Sequence, residues 1–257
     1  MKLPASLPIS LVVVTLNEEA NIESCLQSVP FASDRVIVDS FSTDRTCEIA
    51  QKLGATVIQE AWRGYGSQKA FAVSKAKHDW ILSLDADEAL SPELQREIVE
   101  KFKSLNPEVG YELPRRSFHL GRWIHHGGWY PDAQIRLFHR QHSQWSNDAL
   151  HEKVQVKSKQ RLQHDLYHWV FDSLSDQVIT NDKYSSLGAV NLCKSGKRFS
   201  FLKLLFKPWT KFMECYFLKQ GFRDGLPGFI IAVGAAYSIF LRHAKLWELE
   251  MKKRTRS

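Results

Sequence analysis

The 257-residue chain is 44% hydrophobic and 25% charged, close to the globular average, which excludes wholesale disorder and a small fold held by staples. Its four cysteines, Cys25, Cys47, Cys193 and Cys215, form no C-x-x-C pair, which argues against a zinc ribbon or disulfide scaffold and for a reducing compartment. Net charge is +7 but uneven: Lys194 to Ser257 holds 14 Lys+Arg against 4 Asp+Glu and the rest holds 21 against 24, so the C-terminal quarter is the part suited to a polyanion or an anionic membrane.

Ile9–Val14 is a continuous apolar run, as expected of a strand covered on both faces. It stops at once in Thr15-Leu16-Asn17-Glu18-Glu19, so it is too short for a signal-peptide core, and the sequence predicts a cytoplasmic catalytic part. Ile22, Cys25, Leu26 and Val29 make one helical stripe. Arg35–Asp39 predicts a second strand. Ser42 or Thr43 can cap the next helix, with Cys47, Ala50 and Leu53 on its apolar face and Gly54 ending it. A third strand at Ala55–Ile58, a helix at Ser67–Ala76 and a fourth strand at Trp80–Leu84 follow. Ser91-Pro92 then opens a helix that turns Leu94, Ile98, Phe102 and Leu105 inward. Alternating strand and helix implies α/β architecture with a parallel, right-handed wound sheet, whose ligands bind beyond the carboxyl ends of the strands.

From Val109 to Val156 short β-like pieces (Gly110–Pro114, Gln134–His139, Lys153–Val156) alternate with Gly-, His- and Trp-rich loops, and Asp172–Leu192 predicts a polar helix. In the last quarter Phe199–Leu218 is crowded with aromatic and aliphatic residues. Lys203, Lys207 and Lys211 recur every four residues, Pro208 is expected to break the helix, and Gly221 and Gly225 mark a turn. Pro227 starts the apolar run Gly228–Leu241, which is short of the ~20 residues that span a bilayer. The pattern predicts two helices lying in a membrane interface, with two core helices as the plainer reading.

The sharpest chemical signal is Asp85-Ala86-Asp87-Glu88 after Leu82-Ser83-Leu84. A strand that stops in two carboxylates delivers hard oxygen donors to the sheet edge, where Mg²⁺ or Mn²⁺ would bridge to phosphates, although such acids also serve as caps. Asp39, with Ser40-Phe41-Ser42-Thr43-Asp44 behind it, can accept a base or ribose hydrogen bond; Asp44 can equally cap a helix. Lys69, after Gln68, can neutralise a diphosphate. His119, His125, His126 and His139 lack metal-ligand spacing and read as polar loop residues. Arg115, Arg116 and Arg122 suit an acidic acceptor.

The set Val14–Glu18, Val38–Asp44, Gln68-Lys69 and Leu84–Glu88 resembles the family 2 glycosyltransferases of GT-A fold. The resemblance implies a Rossmann-like, mostly parallel sheet and an inverting enzyme that uses a nucleotide-sugar. It implies a donor site of Thr15, Leu16, Asn17, Glu18, Asp39, Ser40, Gln68, Lys69, Asp85, Ala86 and Arg136, with a divalent metal on Asp87 and Asp85. Gly127–Asp132, Gln134–Phe138, Leu150-His151-Glu152 and the Gly221–Gly225 turn with its apolar tail are similar to the lipopolysaccharide core β-1,4-glucosyltransferases. That likeness implies transfer of glucose from UDP-glucose to an inner-core heptose. The sequence predicts a catalytic domain over residues 1–170 and a helical, basic, membrane-associating region over 171–257, peripheral on the inner face of the cytoplasmic membrane. The partners so implied are a UDP-sugar, a lipopolysaccharide-core glycolipid and an anionic membrane surface.

Inverting transfer needs a base for the acceptor hydroxyl and a sink for charge on the departing UDP. Glu152 is the first choice for the base, since the Glu-Asp pair of many members is missing, and Asp132 is the second. Asp132 sits in a loop where Trp129 and Tyr130 offer flat faces to a sugar. Two rival readings stand beside this one. A polyprenyl-phosphate sugar synthase would share the front half, and a non-catalytic membrane-surface protein would need no intact site. The acidic balance of residues 1–193 argues against nucleic acid.

Overall fold

The computed structural model describes residues 6–145, 154–171 and 173–255. The chain forms two compact units, one of residues 1–116 and 132–168, the other of residues 117–131 and 169–257.

In the first unit the order is β1 (Leu7–Thr15), α1 (Ile22–Gln27), β2 (Ala32–Asp39), α2 (Thr46–Lys52), β3 (Thr56–Gln59), α3 (Tyr65–Ser74), β4 (Trp80–Asp85), β5 (Glu88–Leu90) and α4 (Pro92–Lys101). Then come β6 (Val109–His119, which runs on into the second unit), β7 (Arg122–Trp123, of the second unit), β8 (Asp132–His139), β9 (Ser143–Trp145), β10 (Val154–Val156), β11 (Ser158–Arg161) and β12 (Leu166–Trp169). The main sheet runs β3-β2-β1-β4-β8-β6-β12-β5. Its first four strands are parallel, while β8 is antiparallel to β4 and β6, and β12 to β5. Ile9, Leu11 and Val13 of β1 pack with Ile22, Leu26, Leu94 and Ile98 of α1 and α4; Val12 faces the other way, with Ala72 of α3 and Phe138. Helices on both faces explain why β1 reads as unbroken apolar sequence. Register sets the edge: Thr15 pairs with Asp39, and Val14 with both Val38 and Asp85, so three strand tips end together.

Capping differs from the expectation at α2. Ser42 turns back to Asp39, and it is Asp44 that accepts the Thr46 N–H at 3.0 Å. Ser91 caps α4 as its spacing predicts, accepting from the Leu94 N–H at 3.2 Å. The short strands β5, β7, β11 and β12 were not expected; a run of two to four residues carries too little periodicity.

The second unit holds α5 (Leu174–Lys194), α6 (Phe201–Met213) and α7 (Gly225–Arg254). Pro208 does not break α6 but lies inside it. The lost backbone bond is one among many, and the helix is packed along α7. A π-helical turn at Glu214–Leu218 and a 3-10 turn at Gly221–Asp224 lead into α7. The turn is tight because a Cβ on Gly221 would lie 2.7 Å from the Cys215 oxygen, and one on Gly228 1.9 Å from the Gly221 oxygen. The apolar run lies within a helical segment, Gly221–Lys253, 33 residues, that is long and apolar enough to cross a membrane by length and composition alone. Lys245 anchors the far half of α7 to α5, its Nζ donating to Asp182 Oδ1 at 2.6 Å, Ser185 Oγ at 2.9 Å and Ser186 Oγ at 2.7 Å.

Candidate active site at the carboxyl edge of the sheet

Beyond the tips of β1 and β2 two loops are stitched together. The Asn17 N–H donates to Ser42 Oγ at 2.8 Å, and Asn17 Oδ1 accepts from the Thr43 N–H at 2.8 Å. The Glu18 N–H donates to Thr46 Oγ1 at 2.8 Å. Asp39 lies wholly buried beneath this seam and accepts from both the N–H (2.8 Å) and the hydroxyl of Ser42. The Thr15 hydroxyl is buried at the same edge with no hydrogen-bond partner among the described residues. An orphan of that kind, costly in a dry core, marks a place where a ligand or water completes the bonding. Gln68 ties in α3, donating to Ser40 Oγ at 3.3 Å and to the Glu60 carbonyl at 3.2 Å.

At the tip of β4 the charges alternate. Lys69 Nζ is 2.7 Å from Asp85 Oδ1, and Arg136 donates to Asp85 Oδ2. Arg136 also donates to Glu88 Oε1 at 2.5 Å, Arg115 reaches Glu88 at 3.2 Å, and Arg115 Nε donates to Asp132 at 3.0 Å. Glu88 accepts the Asp85 N–H at 3.1 Å as well. Burial alone would raise the Asp85 carboxyl, but Arg136 and Lys69 overcome it and hold it far below the carboxylate range. Burial likewise opposes ionisation of Arg136, and Asp85 and Glu88 reverse that, strengthening its hold on its proton. For Asp132 burial is outweighed by Arg115 and Gln134, so its carboxyl is lowered too. A carboxylate held low by a guanidinium is a weak proton acceptor.

Asp87 stands apart, one oxygen 3.3 Å from His168 Nε2. Among the described residues no three His, Cys, Asp or Glu side chains converge as a complete cage. Mg²⁺ and Mn²⁺ do not require one, since such ions take one or two protein ligands and fill their shell with phosphate oxygens and water. Asp87 and His168 fit that role. Asp85, with a cation on each oxygen, fits the role of an outer support.

The first unit thus brings together Thr15, Leu16, Asn17, Glu18, Asp39, Ser40, Gln68, Lys69, Asp85, Ala86, Asp87, Asp132 and Arg136. Glu152 and His151 lie outside the described residues. Glu88 and His168 join the site without a sequence signal of their own. Glu88 sits inside the acidic motif, but its burial is not readable there. His168 is placed by the pairing of β12 with β5, which sets it opposite Glu88. The three arginines expected to meet an acidic acceptor are spent on internal pairs: Arg115 as above, Arg116 with Asp165 at 3.3 Å, and Arg122 on the Asp224 carbonyl at 2.9 Å. Trp129 packs with His119 and Phe171 in the second unit, and Tyr130 with His125. The His125 and His126 N–H groups donate to Asp224 at 3.1 and 2.7 Å.

Residues 10–158 match the family described as Glycosyl transferase family 2. An uncharacterized glycosyltransferase of Rickettsia typhi is 36% identical over 259 residues, covering 96% of this chain and 89% of the relative. The lipopolysaccharide core biosynthesis glycosyltransferase LpsC of Rhizobium meliloti is 32% identical over 255 residues, 94% of this chain and 93% of its own. Among solved structures, glucosyl-3-phosphoglycerate synthase from Mycobacterium tuberculosis, in complex with Mn²⁺, UDP and glucosyl-3-phosphoglycerate, is 25% identical over 43% of each chain with a TM-score of 0.35. The chain belongs to glycosyl transferase family 2 and is a glycosyltransferase; its wound α/β architecture is the one that the motif resemblance implies.

Proposed function

We propose that the protein is an inverting hexosyltransferase that moves glucose from UDP-glucose onto an inner-core heptose of lipopolysaccharide. The reading is carried by the cluster of Thr15, Asp39, Lys69, Asp85 and Asp87 at one sheet edge, and its acceptor is supported by end-to-end similarity to LpsC. Residues 1–170 are assigned the catalytic role, although 117–131 and 169–170 belong to the second compact unit, and residues 171–257 the membrane-associating one.

Asp39 shapes the nucleoside pocket from below, through Ser42. The Thr15 hydroxyl and the Asn17–Glu18 turn line it. Lys69 and Arg136 keep fixed positive charge at the tip where negative charge grows on the departing UDP, so stabilising it costs little reorganisation. Asp87 and His168 would hold the divalent ion, which when bound supplies further charge to the diphosphate. Glu152 takes the acceptor proton; Asp132, committed to Arg115, is the weaker choice.

Membrane association rests on α6, where Phe201, Leu202, Leu205, Phe206 and Trp209 are exposed beside Lys203, Lys207 and Lys211. Apolar and cationic groups together suit an anionic lipid interface. The part of α7 before its charged half, residues 225–241, is about 25 Å long, less than a bilayer core of about 30 Å, which favours a peripheral seat. The test is a panel of nucleotide-sugars incubated with truncated lipopolysaccharide cores and with polyprenyl phosphate, scored by mass. One hexose added to the core from UDP-glucose is expected. Transfer to polyprenyl phosphate alone would replace the acceptor, and no transfer from any donor would sink the reading.

A further inference from the structure

The loop after β2 holds an exposed ring in a conformation that disfavours side chains. Phe41 has φ of 65°, in the left-handed region, and is 56% exposed. A bulky residue there is a genuine outlier, and such strain lasts only where the surroundings over-determine it. They do here: Ser40 accepts from Gln68, the Ser40 N–H donates to the Thr15 carbonyl at 2.9 Å, Ser42 is fixed on Asp39, and Thr43 on Asn17. The backbone on both sides of Phe41 is pinned, and the ring stands out in water. Leu16, 53% exposed, leaves the neighbouring tip, because Thr15 is the register partner of Asp39. Two apolar side chains therefore flank the edge where the Thr15 hydroxyl has no partner among the described residues.

Glycine would adopt this backbone without strain, so the ring has to be explained by what it touches when a ligand is present. A planar, weakly hydrated group bound at this edge would cover it. We propose that Phe41 is a donor-binding residue whose ring stacks on the nucleobase of the donor nucleotide, with Leu16 supporting the other side. The inference rests on the nucleotide-sugar reading above and adds to it a residue that the family motif does not assign. Stacking is tolerant of base identity, so Phe41 contributes affinity for the nucleoside and none for the diphosphate.

The experiment compares full-length protein with Phe41→Gly, Phe41→Leu and Phe41→Trp by calorimetric titration with UDP, UMP and inorganic pyrophosphate in the presence of Mn²⁺. Phe41→Gly is expected to weaken UDP and UMP by about tenfold, as loss of one base–aromatic contact implies, and to leave pyrophosphate unchanged. Phe41→Trp is expected to keep UDP affinity, and Phe41→Leu to fall between. The melting temperature of Phe41→Gly should not drop, since left-handed strain is removed. Equal UDP affinity in parent and Phe41→Gly would overturn the inference. So would a parallel loss of pyrophosphate, which means a collapsed loop, or a loss of vesicle binding with UDP affinity intact, which means that the ring serves lipid. A parent chain that binds UMP but neither UDP nor UDP-sugars would sink the donor reading while leaving the Phe41 comparison measurable on UMP.

Discussion

At the scale of single residues the site is a row of alternating charges whose members cannot be removed singly at equal cost. Glu88 is wholly buried and shared by Arg115 and Arg136. Glu88→Gln leaves two guanidinium groups short of a counter-charge, so unfolding free energy in urea should fall by about 3 kcal/mol, with activity lost as a consequence of the displaced Asp85. Asp87→Asn should instead leave the denaturation midpoint within error and cut kcat/KM by at least about a hundredfold, because Asp87 lies outside the row. Intact turnover in that variant would remove Asp87 from the chemistry. Asp85 and Asp132 are both held below their ordinary range in the folded chain. Their stabilising contribution is complete above the unfolded carboxylate value of about 3.9 and is lost as pH falls through the depressed folded values. Denaturation from pH 6 to pH 3 should therefore show stability dropping below about pH 4, with a shallower slope in Asp132→Asn.

Elements matter through what they carry to the edge. Glu97 of α4 is buried and accepts the N–H groups of Gln163 at 2.9 Å and His164 at 3.1 Å, with Lys101 Nζ at 2.6 Å. That grip fixes the turn before β12, the strand that bears His168. Glu97→Gln should lower stability by about 1–3 kcal/mol and, by loosening β12, weaken Mn²⁺ binding measured by titration. The helix turn at Gly221 and Gly228 has no room for a methyl group, so Gly228→Ala should lower the melting temperature, at a cost of about 1–3 kcal/mol or more. The parallel half of the sheet was legible because long apolar strands and capped helices have periods that a sequence displays. The position of Asp85 is legible for the same reason, since it closes such a strand, and Asp87 follows two residues beyond it. Glu88 and His168 were not, because what unites them is a ladder between two strands of three and four residues. Pro208 misled because the local rule against proline within a helix was outweighed by packing on α7.

For the molecule as a whole, basic charge and exposed apolar surface gather in the same C-terminal region, and the two kinds of attraction to lipid respond differently to salt. Sedimentation with anionic vesicles should survive a rise from about 0.1 M to 1 M salt, which shortens screening from about 10 Å to about 3 Å, if the exposed rings of α6 insert. Trp209→Glu with Phe206→Glu should abolish the salt-resistant fraction. Replacing Lys203, Lys207 and Lys211 by Gln should reduce only the low-salt fraction. Binding unaffected by either set would put the lipid contact elsewhere.

Asp224 reaches back 98 residues to hold the His126 N–H, and 99 to hold that of His125. During synthesis that mid-chain segment emerges from the ribosome long before the carboxylate that will fasten it, and waits unfastened meanwhile. A chain shortened ahead of Asp224 to improve solubility would keep that segment permanently in its newborn state. Trimming the tail is thus also an edit to residues 125 and 126, and activity lost on trimming would say nothing by itself about lipid.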